Sequence, residues 1–266
     1  MASTTRSLTS FKALSFDVYA TLIDWETGII TALTPLTDRL PSSHPSKNNR
    51  RALLQLYTRL EGELEHKYPD LQYNKLLGEV YAGIAEELGL TSAIENHDLA
   101  QEKEVFGQAV GTWPAFPDTV AALQVLGRHY KLIILSNVDA ANISRTIAGP
   151  LQNTPFAAVY TAQQIGSYKP DLRNFEFLIE HAGTELGVAK EEILHTAQAL
   201  WHDHVPAKKI GLKSCWIERG GDDPDGAVIG GRIEDLEGQV ELECRFKTLG
   251  DMAEAVEKAF QSEHSG

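Results

Sequence analysis

Apolar and polar positions along the chain fall into two regimes. Short apolar runs ending in polar residues recur at Lys12–Val18 (KALSFDV), Leu132–Asn137 (LIILSN), Ala157–Ala162 (AAVYTA), Glu191–Ala197 (EEILHTA) and Lys213–Glu218 (KSCWIE). Runs of this length read as buried strands. Helical periodicity appears in Phe116–Tyr130, Asn174–Gly187 and His204–Leu212. Strand and helix therefore alternate. This predicts an α/β fold, a Rossmann-like parallel sheet with helices on both faces, because parallel neighbours need a crossover and helices provide one. Ligands of such sheets sit beyond the carboxyl ends of the strands.

The interval from Trp25 to Val105 differs. It has helical periodicity in RRALLQLYTRLEGELEHKY and NKLLGEVYAGIAEELGL, a Pro/Ser-rich break at Leu40–Ser46, and no convincing strand. The pattern predicts an inserted all-α domain over 25–105 and a discontinuous core of 12–24 with 106–260. Residues 1–11 and 261–266 are expected to be flexible tails. Gly220–Gly231 (GGDDPDGAVIGG) reads as a loop, and Phe246–Phe260 as a strand or loop entering a helix capped near Asp251.

Composition narrows the function classes. The formal charge is −13, from 37 acidic and 24 basic residues, over 266 residues of which 42% are hydrophobic. A real core is affordable at this size, and a general nucleic-acid binder is disfavoured, because phosphate neutralisation needs a concentrated basic surface. A small anionic substrate needs only one local cation. No apolar run of about 18 residues suggests a membrane span. The first ten residues lack the apolar middle of a secretory signal, and Cys215 and Cys244 read as reduced thiols of a cytoplasmic protein.

Asp17 in Phe16–Leu22 (FDVYATL) closes the first apolar run. Alone it has a bland explanation, since Asp favours turns and helix caps. Three further segments in order change that balance: LSN ending at Asn137, SYKPD around Lys169, and WHD ending at Asp203. The ordered set resembles the haloacid dehalogenase (HAD) superfamily of hydrolases. Its motifs match an Asp nucleophile at Asp17 with Thr21 four residues later, Ser136 at the second motif, Lys169 at the third and Asp203 at the fourth. The resemblance implies that Trp25–Val105 is a helical cap.

Within that family the second residue after the nucleophile separates two chemistries. Phosphatases carry an Asp there as proton donor and base; this chain has Tyr19, whose ordinary pKa of about 10 provides no ready anion. The pattern is similar to the L-2-haloacid dehalogenase branch, as are the SNVD and YKPD contexts. The resemblance implies an aspartyl ester on Asp17 at C2 of a small 2-haloalkanoic acid, then hydrolysis to a 2-hydroxy acid with inversion. It implies that Lys169 keeps Asp17 anionic and that Thr21, Ser136 and Asn137 orient carboxylates. Asp203, with Gln198 or His202, would place the hydrolytic water. No cofactor is then required. A Mg-dependent phosphatase, with Mg held by Asp17 and Asp203, is the alternative, as is a HAD-fold protein with a repurposed site.

Some positions depart from the branch. Arg59 is near, but not aligned with, the cap arginine that grips substrate; Phe175 replaces an aromatic hydroxyl; and TAQALWHD replaces the Ser/Asn-rich lead into the last acid. Tyr19, Trp25, Arg59, Phe175, Gln198 and His202 are the candidate substrate-binding residues. His195, His202 and His204 match no zinc spacing, and structural roles are expected of them. A homodimer is an assembly the resemblance allows, without a sequence signal of its own.

Overall fold

The computed structural model describes residues 7–68, 71–91, 94, 96–219 and 233–264. The chain folds into two compact units, Met1–Asp24 with Ala115–Gly266, and Trp25–Pro114. The second boundary lies beyond the expected 105. The helical pattern continues through Gln108 into a 3-10 turn at Ala109–Thr112, so no break in regular structure falls at Val105.

In chain order, β1 is Ala13–Phe16; the helical unit then contributes α1 Trp25–Ala32, α2 Thr34–Arg39, α3 Arg50–Lys67, α4 Tyr73–Glu87 and α5 Asn96–Gln108. The core resumes with α6 Thr119–Leu126, β2 Lys131–Ser136, α7 Ala140–Ala148, β3 Phe156–Thr161, α8 Ala162–Ile165 and α9 Leu172–Leu186. It ends with β4 Ile193–Ala197, a π-helical turn at Leu200–His204, α10 Val205–Lys209, β5 Lys213–Ile217, β6 Cys244–Phe246 and α11 Leu249–His264.

The six strands form one parallel sheet in the order β3-β2-β1-β4-β5-β6. All four residues of β1 and all five of β4 are buried, as expected of central parallel strands covered on both faces. Against the sheet, α9 buries Phe175, Leu178 and Ala182 beside Ile133, Leu135 and Tyr160. The chain leaves β1 in one direction towards β2 and β3, then returns to its other side at β4. The strand order thus reverses at β1/β4, the place where open α/β sheets leave a crevice at their carboxyl ends.

The helical unit is built around α3, α4 and α5. The rings of Tyr57 and Tyr81 lie 6.4 and 5.2 Å from that of Phe106. A Cβ at Gly107 would lie 2.0 Å from the Asn74 carbonyl oxygen, so α5 approaches α4 as closely as it does only because that position has no side chain.

The expected flexible ends are ordered over their described part. α11 runs to His264 instead of ending at Phe260, and Leu8–Ser10 forms a 3-10 turn whose Thr9 hydroxyl donates to Glu263. The cap of α11 lies near Asp251 as expected, with Thr248 as its partner: the Asp251 N–H donates to Thr248 Oγ1 at 3.1 Å and the Thr248 N–H to Asp251 Oδ2 at 3.0 Å, a reciprocal box. The Gly220–Gly231 loop lies outside the described residues. Among the described residues, no helix is long and apolar enough to cross a membrane.

Candidate active site

Asp17 follows β1, and its N–H still joins the ladder to the Thr196 carbonyl at 3.1 Å. The chain then turns on itself. The Val18 carbonyl accepts from the N–H groups of Thr21, Leu22 and Ile23 at 3.2, 2.7 and 2.9 Å. Ala20 sits at φ +75°, a left-handed conformation that a residue with a Cβ adopts at a cost. The turn carries the Thr21 hydroxyl back to Asp17, where it donates to Oδ2 at 2.7 Å. The same hydroxyl oxygen accepts from the Gln198 N–H at 2.9 Å, so the loop after β4 holds the loop after β1.

Lys169 reaches this point from the segment after α8. Its Nζ donates to Asp17 Oδ1 at 2.8 Å, Asp203 Oδ1 at 2.7 Å and the Leu135 carbonyl at 3.1 Å. An ammonium has three protons, so the side chain is fully committed. Asn137 fixes its backbone from both sides: its Oδ1 accepts from the Lys169 N–H at 2.7 Å and its Nδ2 donates to the Lys169 carbonyl at 2.9 Å. Burial alone would lower its pKa, but Asp17 and Asp203 hold it above the ordinary lysine value.

Asp203 is completely buried. Burial would raise its pKa; the Lys169 charge, with hydrogen bonds from His195 and Lys169, outweighs this and holds the carboxyl well below the usual range. The His195 Nε2 lies 2.8 Å from Asp203 Oδ1 and its Nδ1 2.9 Å from Ser15 Oγ. This Ser–His–Asp connectivity resembles a hydrolytic triad, yet Ser15 is buried within β1, where no substrate can reach it. Among the described residues, Asp203 Oδ2 and Ser136 Oγ are buried without a hydrogen-bond partner. Buried polar groups in that condition point to a water or ligand.

Tyr19 is turned aside. Its hydroxyl pairs with Thr146 Oγ1 at 3.1 Å, and burial pushes its pKa up to about 12. His204 is held apart from the chemistry: its Nε2 donates to the Ala197 carbonyl at 3.0 Å and its Nδ1 lies 2.9 Å from Ser214 Oγ. Burial lowers its pKa to about 4, so the ring is neutral near pH 7.

Asp17, Thr21, Ser136, Asn137, Lys169, Gln198 and Asp203 all stand at or beyond the carboxyl ends of β1, β2 and β4, or on the segment docked there. Other candidates have different surroundings. Phe175 is buried in the sheet–α9 core with its ring edge-on to His195 at 5.3 Å. His202 is exposed on the turn before Asp203. In the helical unit, the Trp25 ring lies 5.9 Å from that of Tyr57, and Arg59 pairs with Glu63 at 3.1 Å and Glu87 at 2.5 Å. His195, expected in a structural role or a role supporting the site, bonds Asp203; the contact depends on strand register across β4 and β1 and has no local signal.

Magnesium in an oxygen-donor site needs about six ligands in near-octahedral array. Here both candidate carboxylates share one ammonium through their Oδ1 atoms, Asp203 Oδ1 also faces His195, and the Tyr19 phenol is bonded elsewhere. These contacts commit the Oδ1 atoms of both carboxylates to protein donors. Among the described residues, no group of three His, Cys, Asp or Glu could hold a metal.

A parallel sheet with its charged cluster at the β1/β4 reversal, joined to an all-helical unit, defines a HAD-type architecture. The model for haloacid dehalogenase-like hydrolases matches residues 11–196, and the chain belongs to that family of hydrolases. It is 26% identical over 251 residues to the (S)-2-haloacid dehalogenase of Pseudomonas sp. (strain YL), covering 91% of this chain and 97% of that protein. The L-2-haloacid dehalogenase of Xanthobacter autotrophicus with chloropropionic acid covalently bound has the same fold, with a TM-score of 0.65 at 19% identity, covering 93% of this chain and 98% of that one. The HAD-hydrolase YfnB from Bacillus subtilis bound to magnesium is equally similar in fold, with a TM-score of 0.65 at 16% identity, covering 92% of this chain and 98% of that one.

Proposed function

We propose that the chain is a metal-independent dehalogenase of small 2-haloalkanoic acids. The observation that carries this reading is the pairing of a committed Asp17–Lys169–Asp203 cluster with a Tyr19 phenol pushed up to about 12 and bonded to Thr146. A phosphatase cycle needs a group that gives a proton to the leaving alcohol. Halide leaves as a stable anion and needs none. The similarity to (S)-2-haloacid dehalogenase supports the same reading.

In the first step an Asp17 carboxylate oxygen attacks C2 from the side opposite the halogen. The new C–O bond forms as the carbon–halogen bond breaks, the electron pair departs with halide, and C2 inverts. Thr21 and Lys169 hold the two Asp17 oxygens, which limits the carboxylate's rotation. Ser136, whose hydroxyl lacks a protein partner, donates to the substrate carboxylate. In the second step water attacks the ester carbonyl carbon of Asp17. One water proton passes by way of Asp203 Oδ2 to the departing alkoxide, so the 2-hydroxy acid leaves with its original ester oxygen protonated and Asp17 keeps one oxygen from water.

Halide release from a panel of 2-haloacids, measured with EDTA present, tests the reading. Turnover that persists in EDTA and vanishes in Asp17→Asn is expected. Phosphate release from phosphoesters that needs added magnesium, with no halide release, would overturn it in favour of the phosphatase alternative.

A further inference from the structure

Arg219 follows β5, and its side chain is 4% exposed. Each nitrogen of the guanidinium donates a hydrogen bond. Nε donates to the Thr21 carbonyl at 2.8 Å, Nη1 to Asp118 Oδ1 at 2.6 Å and Nη2 to Thr119 Oγ1 at 3.1 Å, while the group stacks over the Phe116 ring at 4.1 Å. Its backbone is held as well, at φ +54° with its N–H donating to the Lys247 carbonyl at 3.0 Å. Asp118 is anchored in turn, its Oδ2 accepting from the Gly250 N–H at 2.9 Å. A buried guanidinium is tolerated only when its charge and donors are met in this way.

The residues it gathers belong to two segments of the core unit. One is the turn after Asp17; the other is the stretch by which the chain re-enters the core. They are already stitched together, the Phe116 N–H and the Thr119 hydroxyl both donating to the Leu22 carbonyl at 3.1 and 3.0 Å. Thr21 is the link to the chemistry, because its hydroxyl donates to Asp17 Oδ2. Its carbonyl accepts from Arg219 on the other side.

We propose that Arg219 is a positioning residue for Asp17. It fixes the peptide of Thr21, and through it the hydroxyl that sets the rotation of the Asp17 carboxylate. The catalytic consequence rests on Asp17 being the attacking group; the hold on the turn does not. The fork geometry matters: a lysine keeps a cation beside Asp118 but cannot meet Thr21, Asp118 and Thr119 in one plane.

Arg219→Lys and Arg219→Gln separate this role from general stabilisation. Hydrogen exchange of peptides covering residues 16–23 is expected to speed up roughly tenfold in Arg219→Lys, with exchange in the other central strands little changed. With a 2-haloacid, kcat should fall about 100-fold, the order expected for a misplaced reacting group, with KM held within about threefold. Adding Thr21→Val to Arg219→Lys should cost little more than Thr21→Val alone, since both act through one bond. Unchanged exchange over 16–23 overturns the proposal whatever the activity, as do losses that multiply in the double variant. Should Arg219→Gln fail to fold, Arg219→Lys decides by the same readouts. A wild-type chain that releases no halide would count against the dehalogenase reading, while the exchange measurement still decides the hold on the turn.

Discussion

Lys169 Nζ stands 2.8 Å from Asp17 Oδ1, and the lysine side chain is only 2% exposed. One buried cation thus serves two carboxylates, since Asp203 Oδ1 lies 2.7 Å away on the same nitrogen. Removing it leaves Asp203 charged, buried and short of its main partner. Lys169→Met is expected to lower stability by about 3–5 kcal/mol, the usual cost of breaking a buried pair from one side. Urea unfolding at pH 7 measures this, and halide release should be lost in any folded fraction.

Tyr19→Phe separates the dehalogenase reading from proton-transfer chemistry. The phenol is pushed up to about 12 and pairs with Thr146, so it keeps its proton near neutrality. Halide release should stay within about threefold of wild type. A loss of about 100-fold or more, the size typical of removing a general acid or base, would assign the hydroxyl a chemical role.

Acid sensitivity has an identifiable source in His204. Its folded pKa is lowered to about 4 from an ordinary 6.5, so between those values the unfolded chain binds more protons than the folded one. Stability therefore rises with pH through this window and is lost as pH falls. The contribution is about 3 kcal/mol. Unfolding free energy measured from pH 7 to pH 4 should fall less steeply in His204→Gln, which cannot titrate. Asp203 adds a loss at lower pH: its depressed pKa stabilises the fold above the ordinary carboxylate range, and that stabilisation goes as acid protonates it.

Ala20 tests the turn. At φ +75° its Cβ is strained, and glycine has no such penalty. Ala20→Gly is expected to change stability by no more than about 1 kcal/mol, with relief of strain offset in part by the more flexible unfolded chain. Ala20→Val should destabilise by more, because a branched side chain fits this backbone poorly. Thermal unfolding of the two variants gives the comparison.

Much of this was legible along the chain because it depends on local pattern. Five apolar runs became β1 to β5, since strands buried on both faces announce themselves without knowledge of their neighbours. Asp17, Ser136, Lys169 and Asp203 were legible because each sits just after such a run or on a short ordered motif. The sheet order was not, and the three-residue edge strand Cys244–Phe246 showed only as a strand or loop from Phe246, because its signal is too short. Phe175 was a substrate-binding candidate because it stands where the resemblance places an aromatic hydroxyl, whereas α9 turns it into the core. Arg219 carries no local signal at all: its partner Thr21 lies 198 positions away, and only the fold brings them to 2.8 Å.

The covalent role of Asp17 is most directly tested by isotope transfer. Under single-turnover conditions in H2(18)O, with the enzyme in excess over a 2-haloacid, mass spectrometry of the peptide containing Asp17 should show one solvent oxygen in its carboxylate, and the 2-hydroxy acid should carry none. Solvent oxygen found in the product, with the Asp17 peptide unlabelled, would mean that water attacks C2 directly and would contradict the aspartyl ester.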